Sequence, residues 1–528
     1  MSEADVLIAG AGPTGLVLAL WLTRSGVPVR LIDRAPGPGK TSRALIVHAR
    51  TLEFYRQLGI ADTIVGESLE FTAANLWVAG RRVGHVPLGE MGRGISAFPY
   101  MLVLPQDRHE QLLIDVLAGL GVVVERGVEL TGAAESADGV TARLRFGQGR
   151  EELAHARYLA GCDGAHSAVR GAIGVGFPGG TYEHIFYVAD VRAHGALVNQ
   201  ELHIALDTAD FIGVFPMAGP NHGRLIGSIR TAALRDAGVT DRSLAWTDVS
   251  GEALSHLPLE VDRVEWFSTY HVHHRVAARF TRGRIFLLGD AAHIHSPVGG
   301  QGMNTGIGDA VNLAWKLADV LHGRVTDDVL ETYEPERIAS ARRLVATTDR
   351  AFTFVTRNGP VARFVRLRIA PKLIPMLLRW TRFRRYMFRT LSQTSIQYRM
   401  SRLSSGAAGT VSAGERLPWI ATAGDDEPDN YAALASRAWQ VHVYGRATLR
   451  LTEVCEQRSL PLHVFPWTPA ARRSGVRRDA IYLVRPDGYV AFAGARAHVP
   501  NLERYLAKWL RGLPAVPAAV SSGSQQSE

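Results

Sequence analysis

Cysteine is scarce in this chain, since 528 residues contain only Cys162 and Cys455, far apart in sequence. The scarcity excludes a disulfide framework, a CxxC redox pair and a cysteine-rich zinc site. Long apolar runs are also missing, because none reaches the length of a membrane span, and the acidic N-terminus differs from the basic start of a secretory signal. We therefore expect a globular, cytoplasmic protein whose redox chemistry would depend on a bound cofactor.

Acidic residues are fewer than basic ones, and the formal net charge of +9 suits an anionic partner. Nucleic acid, anionic lipid, a dinucleotide and an acidic small substrate share that property. Much of the excess lies between residues 342 and 402, where basic residues alternate with large apolar ones. This pattern predicts basic amphipathic helices that form either a solvated face at a domain junction or a peripheral membrane contact. We expect no nucleic-acid partner.

A glycine turn follows the first predicted strand. Residues 4–10 have the pattern of a short buried strand, and GAGPTG then opens the apolar run LVLALWL. In such a unit Gly10 permits the turn, Gly12 lets backbone approach a pyrophosphate, and Gly15 lets the helix pack on the strand. The helix N-terminus adds N–H donors, so we expect a dinucleotide here. The predicted cofactor contacts are Gly10, Gly12, Pro13, Thr14 and Gly15.

A second predicted strand, residues 27–32, ends at Asp33. A carboxylate at this distance from the glycine turn meets an adenosine ribose, so Asp33 and the adjacent Arg34 are predicted to bind the cofactor. The spacing alone does not distinguish NAD from FAD.

Further stretches follow in a fixed order: SRALIVHARTLE (42–53), LPQDRHEQLL (104–113), YLAGCDGAHSAVR (158–170) and GRIFLLGDAAHIHSPVGGQGMN (283–304). With the glycine turn, they resemble the class A flavoprotein monooxygenases. These are single-component FAD-dependent aromatic hydroxylases, and they include phenol, hydroxybenzoate and polyketide hydroxylases. The resemblance covers roughly residues 4–345, and it implies FAD as the cofactor and NAD(P)H as the co-substrate.

The resemblance implies cofactor contacts in three of these stretches. Arg43 would lie near the FAD, with Arg50 as a second candidate, and Gln106 would contact the sugar-phosphate region. Asp163 opens an Asp-Gly turn, and a helix is predicted to begin near Ser167, so a carboxylate and backbone amides would converge. In the family this region touches FAD and helps NAD(P)H to dock.

The glycine-rich loop of the fourth stretch is expected to face the flavin. Asp290, at the end of a strand, would accept a hydrogen bond from a ribityl hydroxyl. Bare backbone at Gly299, Gly300 and Gly302 would lie against the isoalloxazine ring. Asn304 and the start of the following helix would donate to its pyrimidine edge.

Two residues of this loop have roles through the resemblance alone. Met303 would contact the cofactor, and the main-chain carbonyl of Pro297 would face the aromatic substrate as the single predicted catalytic group. Nearby histidines could suggest a metal, but no carboxylate or cysteine cluster completes a site. We expect no metal and assign helix-cap and loop hydrogen bonds to His271, His273, His274, His293 and His295.

The substrate side is predicted from residues 181–232, where four short apolar segments alternate with turn residues. This pattern indicates an antiparallel sheet, which could form an apolar roof over the flavin. Phe211, Phe215, Trp266 and Tyr270 are candidates either for lining that roof or for the core.

Residues 412–515 suggest the order β-α-β-β-α, with a hairpin turn at Asp487-Gly488. This unit is similar to the thioredoxin-like C-terminal domain of the phenol-hydroxylase branch. Because it lacks CxxC, it cannot exchange disulfides, and we expect a role in packing or in a homodimer contact.

The length of the chain predicts more than one hydrophobic core. The predicted fold is an α/β, Rossmann-like FAD-binding domain with an inserted antiparallel substrate sheet and a thioredoxin-like α/β domain. The FAD-binding domain comprises 1–75, 101–180 and 265–345, and the substrate-binding sheet 76–100 and 181–264. A basic helical junction (346–411), the thioredoxin-like domain (412–515) and a disordered tail (516–528) follow.

The resemblance implies that NAD(P)H reduces FAD and that O2 forms a flavin C4a-hydroperoxide, which hydroxylates a phenolic or polyketide-like ring. A single GxGxxG fits transient docking of NAD(P)H. Alternatives on this scaffold are Baeyer–Villiger oxygenation and epoxidation, whereas the missing WxWxIP disfavours halogenation. The alternative from another class is a non-catalytic FAD-binding partner protein. The general base, the substrate and the choice between NADH and NADPH stay open.

Overall fold

The computed structural model describes residues 4–39, 44–78, 80–88, 91–206, 211–229, 244–249, 257–296, 298–356, 359, 364–422 and 428–511. The helices in this part of the chain are α1 Pro13–Arg24, α2 Ala49–Gln57, α3 Ala61–Gly66, α4 Gln106–Gly119, α5 Ala168–Ala172, α6 Gly302–Leu321, α7 Tyr333–Thr356, α8 Ala370–Leu378, α9 Thr381–Leu391, α10 Leu449–Gln457, α11 Pro469–Ser474 and α12 Val499–Trp509. A single π-helical turn, Val365–Ile369, precedes α8.

Within the described ranges the strands form one three-stranded, one six-stranded and two eight-stranded sheets. In chain order they are β1 Ala4–Ala9, β2 Val29–Asp33, β3 Ile46–Val47, β4 Leu69–Glu70, β5 Ala73–Val78, β6 Arg81–Pro87, β7 Leu102–Val103, β8 Val124–Arg126, β9 Val128–Glu135, β10 Val140–Phe146, β11 Glu151–Gly161, β12 Gly179–Gly195, β13 Leu202–Leu206, β14 Phe211–Pro216, β15 His222–Ile229, β16 Leu259–Val276, β17 Thr281–Arg282, β18 Ile285–Leu287, β19 His293–Ile294, β20 Ser405–Ala408, β21 Val411–Ser412, β22 Gln440–Tyr444, β23 Leu462–Phe465, β24 Ile481–Val484 and β25 Val490–Gly494.

The first eight-stranded sheet has the order β17-β18-β11-β1-β2-β8, and β10 and β9 extend it from β11. Strands β18, β11, β1, β2 and β8 are parallel, so their carboxyl ends lie along one edge. Four of these strands lead directly into predicted cofactor segments, those of Gly10, Asp33, Asp163 and Asp290. A parallel sheet binds ligands at this edge, so its topology brings the four segments together.

Helix α1 covers this sheet and is apolar on every side. All its residues from Gly15 to Leu22 are buried, because the helix lies between the sheet, α4 and α6. A helix buried all round has an apolar sequence throughout, as LVLALWL has.

The second eight-stranded sheet has the order β19-β16-β12-β15-β14-β13-β5-β6 and is antiparallel except for the β13–β5 pair. One face carries Ile185, Tyr187 and Ala189 in a core of its own. The opposite face carries Phe215, which packs with Ala74 against the core of the first sheet. We call this inner face the roof. Strand β16 continues to Val276, beyond the boundary predicted at residue 265.

The six-stranded sheet has the order β21-β20-β25-β24-β22-β23, with α10 and α12 in the same core. Helix α11, between β23 and β24, is absent from the predicted order. Its signals are local: Thr468 Oγ1 accepts the N–H of Ala471 at 3.1 Å, and Gly475 has φ +90° just after the helix ends.

The predicted hairpin turn joins β24 to β25, with Gly488 at φ +74°, and it is buried between this sheet and α6. Arg485 and Asp487 are each 1% exposed. Arg485 donates to Glu336 at 2.8 Å and to Asp487 at 2.6 Å, and Lys316 Nζ lies 2.9 Å from Glu336. Trp315 Nε1 donates to Asp487 at 3.1 Å. We call these five residues the junction cluster.

The predicted basic helices are present as residues 364–391, which include the π-helical turn, α8 and α9. Among the described residues no helix combines the length and apolarity that crossing a bilayer demands. The predicted tail, 516–528, lies outside the described residues.

Candidate cofactor and substrate site

The first glycine turn leaves open space at the N-terminus of α1. Gly10 has φ +103°, and a Cβ there would overlap the backbone of Cys162. A Cβ on Gly15 would overlap the carbonyl of Gly10, so close packing requires both glycines. By contrast, a Cβ on Gly12 would meet nothing within 4 Å. Bare backbone at a helix N-terminus with free space beside it suits a pyrophosphate.

Asp33 lies beside this turn and holds it. Its Oδ2 accepts the N–H of Ala11 at 2.6 Å, and its Oδ1 accepts the N–H of Ala35 at 2.7 Å. Arg126, its partner on β8, lies 3.7 Å from Asp33, and Arg126 Nη2 is buried without a hydrogen-bond partner. A buried donor without an acceptor is costly, so oxygen atoms of a ligand would be stabilised here.

Arg34 is exposed at the same edge. It lines an open groove of about 470 Å³ together with Ala35, Gly127, Glu129, Arg145, Phe146 and Gly147. Arg34 is therefore placed to contact only the outer end of a ligand that follows Asp33.

Gln106 is the first residue of α4, and its backbone N–H donates to Ala44 O at 3.2 Å. Its side-chain Nε2 donates to Glu110 at 2.8 Å. Burial raises the pKa of Glu110, and the hydrogen bond from Gln106 opposes that rise. Two of the predicted contacts, Arg43 and Pro297, lie outside the described residues.

Asp163 has one carboxylate oxygen without a partner. Its Oδ2 accepts the N–H of Val169 at 3.0 Å, whereas its Oδ1 is buried with no hydrogen bond. As predicted, a helix follows, and Ser167 caps α5 by accepting the N–H of Arg170 at 2.9 Å. The Arg170 guanidinium donates to Ala291 O at 3.0 Å, which ties the Asp-Gly turn to the Gly-Asp turn.

Thr14 connects the first and last cofactor segments. Gly289 has φ +57°, and a Cβ there would lie 2.6 Å from Thr14 Oγ1, while a Cβ on Gly306 would overlap the same atom. Both glycines therefore admit α1 to the turn that carries Asp290. The Asp290 residue itself is exposed at the mouth of this turn.

Asn304 has a different role from the predicted one. It is 1% exposed, and its Nδ2 donates to the carbonyls of Ile46 and Gly300, each at 2.9 Å. Its Oδ1 accepts from the N–H of His48 at 2.9 Å and from Thr51 Oγ1 at 2.7 Å. Because both amide hydrogens already have protein acceptors, we correct the predicted donation to the pyrimidine edge: this side chain positions the loop.

His48 supports the same loop and has no role in the sequence prediction. It is fully buried, and its Nε2 lies 2.9 Å from Gly299 O, so this nitrogen carries the proton. Burial lowers the pKa of His48 to about 4, which keeps the imidazole neutral. Gly299 and Gly300 have φ of +79° and +61°, which explains why the loop needs glycine there.

The remaining loop residues lie at the start of α6. Met303 is half-buried against the main core, and a Cβ on Gly302 would lie 3.7 Å from the His295 ring. From the other side, Gln393 donates to Gln301 O at 3.1 Å. Gln393 is buried with φ +61°, an unusual conformation for a non-glycine residue that is retained beside this loop.

A buried carboxylate in α6 holds the Gly289 turn from behind. Asp309 Oδ2 accepts from the N–H of Gly289 at 3.0 Å and from His293 Nε2 at 2.7 Å, and Oδ1 accepts from Arg337 Nε at 2.5 Å. Burial opposes its charge, but Arg337 and His293 outweigh burial and lower the pKa of Asp309. An aspartate within an apolar helix is the signal that could have identified it.

Arg50 does not extend toward the cofactor segments. Its Nη1 donates to Glu53 at 2.8 Å and its Nη2 to Asp487 O at 2.6 Å, beside the junction cluster. We therefore correct this candidate cofactor contact: Arg50 joins α2 to the buried hairpin turn.

A buried ion pair lies among the apolar side chains of the roof. Arg224, 2% exposed, donates to Asp190 through Nε at 2.6 Å and Nη2 at 2.8 Å, and its guanidinium lies 5.7 Å from the Trp266 ring centroid. Phe215 packs near Phe71, with ring centroids 6.3 Å apart. Tyr270 lies 5.9 Å from Phe186, and the Phe211 side chain lies outside the described residues. The candidate lining residues thus share a face with a pair that sequence reasoning missed.

No three His, Cys, Asp or Glu side chains form a candidate metal group within the described ranges. His293 bonds to Asp309, and His273 lies 2.7 Å from Thr181 Oγ1. Cys162 and Cys455 are both buried and unpaired.

The four cofactor segments form one connected site. Hydrogen bonds or close packing join Ala11 to Asp33, Thr14 to Gly289, and Arg170 to Ala291. The free space at Gly12 and the two partnerless atoms, on Arg126 and Asp163, lie along this edge. An elongated ligand with phosphate and hydroxyl groups would occupy that space, and FAD has both kinds of group.

Comparisons with known proteins agree with this geometry. A family model for an FAD binding domain matches residues 3–348, and one for the aromatic-ring hydroxylase C-terminal region matches residues 410–512. The chain is 35% identical over 527 residues to 6-methylpretetramide 4-monooxygenase of Streptomyces rimosus, covering 95% of this chain and 93% of that protein. Among solved structures, OxyS anhydrotetracycline hydroxylase from Streptomyces rimosus matches with a TM-score of 0.77 and 28% identity, covering 97% of this chain and 100% of that one.

Proposed function

The chain belongs to the FAD-binding aromatic-ring hydroxylases, and from that premise we propose that it inserts one oxygen atom of O2 into a polycyclic, polyketide-like aromatic substrate. The cofactor is FAD. One observation carries the proposal: the roof, which bears aromatic side chains, packs through Phe215 against the core of the sheet whose strand ends form the connected cofactor site. The FAD would supply the redox chemistry: NAD(P)H would reduce it, and it would then activate O2 as a C4a-hydroperoxide.

The residues of this chain would bind the FAD and orient it. The open N-terminus of α1 at Gly12 would hold the pyrophosphate, and Asp33 with Gln106 would hold the sugar-phosphate region. Asp290 would accept a ribityl hydroxyl. Asp163 Oδ1, buried without a partner, would accept a hydrogen bond from the cofactor or from a water that it orders.

The loop from Gly299 to Met303 would face the ring system, and its conformation depends on the supporting side chains. His48, Asn304 and Gln393 each bond to a carbonyl of the loop, so side chains of the protein hold the loop in this shape. We keep Pro297 as the residue whose carbonyl would face the substrate.

The roof would hold the aromatic substrate and exclude water. Trp266 and Tyr270 would contact its rings, and Arg224 would stay paired with Asp190 so that no unpaired charge meets an apolar ligand. The two relatives named above support a polycyclic substrate, because their names give 6-methylpretetramide and anhydrotetracycline as the molecules on which they act. No particular observation favours Baeyer–Villiger oxygenation, epoxidation or a non-catalytic role.

The test of this proposal is direct. Purified protein should contain about one flavin per chain, consume NAD(P)H faster with a polycyclic phenol than without it, and transfer labelled oxygen from O2 into the product. A protein without flavin, or NAD(P)H consumption that no aromatic compound stimulates, would contradict the proposal.

Asp290→Ala tests the cofactor assignment separately. We expect the variant to fold and to lose FAD, because an acceptor at an open turn is removed while the core stays unchanged. Asp328→Ala, at another exposed aspartate, is the matched control and should keep its flavin. Full flavin content in Asp290→Ala would remove this residue from the site.

The organisation of the chain is part of the same proposal. We infer the predicted domain division with the substrate sheet extended to Val276, a thioredoxin-like fold for the C-terminal unit, a role for it in packing or dimer contact, and a cytoplasmic location. The β-α-β order from β22 to β23 and the antiparallel β24–β25 pair support the thioredoxin-like interpretation. Sedimentation of the flavin-loaded protein would test the dimer.

A further inference from the structure

Charge is segregated along the chain. Residues 350–414 contain thirteen basic residues and no acidic residue, so the rest of the chain carries a formal net charge of −4 against +9 for the whole. Such a one-signed segment cannot neutralise itself. It attracts an anionic partner more strongly than the overall charge suggests.

The basic helices also expose an apolar stripe. Ile369, Leu373, Met376 and Trp380 are 41%, 42%, 49% and 61% exposed. Leu373 and Met376, three residues apart in α8, share one face, and Ile369 and Trp380 lie just before and just after this helix. Of the residues in α8 only Ala370 is buried. An amphipathic helix normally turns its apolar stripe inward, so a stripe that faces outward indicates a binding surface.

Basic side chains flank this stripe. Arg368, Lys372, Arg379 and Arg382 are exposed, and none forms an ion pair with any residue that the structure describes. Trp380 and Tyr386, 61% and 64% exposed, have the amphipathic rings that favour a membrane–water interface. Cations beside exposed apolar and aromatic side chains match the headgroups and acyl boundary of an anionic bilayer.

The surface adjoins the substrate side of the molecule. Helix α8 packs along β6, the edge strand of the roof sheet, where Pro375 would lie 3.4 Å from a Cβ on Gly84. At the end of α9, Leu391 would lie 3.2 Å from a Cβ on Gly299 in the cofactor loop. A docking surface on these helices would therefore lie beside the space between the roof and the cofactor loop, which an apolar substrate would have to enter.

We propose that residues 364–391 are a peripheral docking surface for anionic lipid, with the stripe from Ile369 to Trp380 at the acyl boundary. A second copy of this chain is a poorer occupant, because two such surfaces would bring like charges together. Docking at this surface would bring the cleft close to apolar aromatic molecules dissolved in the bilayer.

Vesicle flotation of the flavin-loaded, full-length protein tests the proposal. It should float with vesicles that contain phosphatidylglycerol at low salt, be released at high salt, and stay unbound with pure phosphatidylcholine. Arg379→Gln/Arg382→Gln should lower partitioning by about fivefold for each charge removed. Trp380→Ala should lower it on the order of tenfold.

Two matched variants separate this surface from general effects. Arg472→Gln/Arg473→Gln removes the same charge from exposed positions of α11, and Leu153→Ala alters a side chain as exposed as Trp380, at 61%. Both should float like the parent protein. Flavin absorbance of each sample shows independently whether the cofactor site is intact, so failure to dock is distinct from failure to bind FAD.

Three outcomes would overturn the proposal: no flotation with anionic vesicles, equal losses in the Arg472/Arg473 and Arg379/Arg382 charge variants, or a dimer in sedimentation that Trp380→Ala dissociates. The last outcome would assign the stripe to an interface between copies.

Discussion

The junction cluster and the basic helices use charge in opposite ways. The first buries both signs: Glu336, Arg485 and Asp487 are 1 to 3% exposed, and Lys316 is fully buried. The second exposes one sign beside an exposed apolar stripe. Buried charges must be paired and hydrogen-bonded to be tolerated, whereas exposed arginines need no partner within the chain.

This difference indicates whether the charges of each region act within the protein or on another molecule. In the junction cluster, every charge has a fixed partner on another element, so the cluster specifies how the C-terminal sheet meets α6. In the basic helices the exposed cations beside the stripe form no ion pair with any residue that the structure describes, so their attraction is available to another molecule. Four changes would break or sharpen this comparison.

Glu336→Ala should have the largest effect. It removes the acceptor of Lys316 and Arg485 and leaves two buried cations, which costs about 3–5 kcal/mol in the free energy of unfolding. Denaturant unfolding measures the loss. The control is Glu331→Ala, since the Glu331 side chain is 65% exposed in its ion pair with Arg402. It should change the free energy of unfolding by at most about 1 kcal/mol. Similar losses in both variants would contradict the contrast.

Asp309→Asn should lower both stability and FAD affinity. The variant leaves the buried Arg337 without its counter-charge, which costs about 2–3 kcal/mol in the free energy of unfolding, and it loosens the Gly289 turn. Asp319→Asn is the control, since Asp319 is buried in the same helix but bonds to Arg324 and Trp439, away from that turn. It should lose stability and keep its affinity for FAD. Equal FAD affinity in both variants would show that Asp309 is only structural.

Lowering the pH should reduce the free energy of unfolding, because several histidines are buried in the neutral form. Burial lowers the pKa of His48, His109 and His295 to about 4 and that of His442 to about 3, below the ordinary value of 6.5. Their contribution is therefore complete above about pH 6.5 and is lost as the pH falls toward 4, because the unfolded chain takes up the protons first.

The slope should approach about 1.4 kcal/mol per pH unit for each histidine within this window. Unfolding free energies measured from pH 7 to 4 give this slope. The variant His48→Gln should reduce it by the contribution of one histidine, about 1.4 kcal/mol per pH unit. A flat profile between about pH 6.5 and 5 would contradict the assignment of neutral, buried imidazoles.

Arg379→Gln/Arg382→Gln should have the smallest effect on folding. Both side chains are exposed, so the free energy of unfolding should change by less than about 0.5 kcal/mol even though lipid binding falls. Thermal unfolding checks this expectation. A loss above about 2 kcal/mol would show that these arginines stabilise the fold as the junction cluster does.

The cofactor segments could be predicted because their signals are local. Gly10 to Gly15, Asp33, Asp163 and Asp290 each follow a short apolar run, and a parallel sheet places the carboxyl ends of such runs at one edge. The hairpin turn at Gly488 has an equally local signal. The burial of this turn has no local signal, because the residues that cover it come from α2 and α6.

The supporting residues could not be predicted, because their partners are remote in sequence. His48 bonds to a carbonyl 251 residues away, and Arg50 to one 437 residues away. No periodicity or spacing records such a contact. Asn304 shows the consequence, since its position in the loop suggested a cofactor contact while its amide was already bound to the strand before α2.

The sequence by itself determined the family, the FAD cofactor and the positions of the turns that form the proposed cofactor site, because glycine conformation and strand-end carboxylates are properties of short segments. Only the tertiary structure decided what holds those turns in place and which charges are paired. Burial of a charge depends on partners from distant segments, and those partners meet only when the chain is folded.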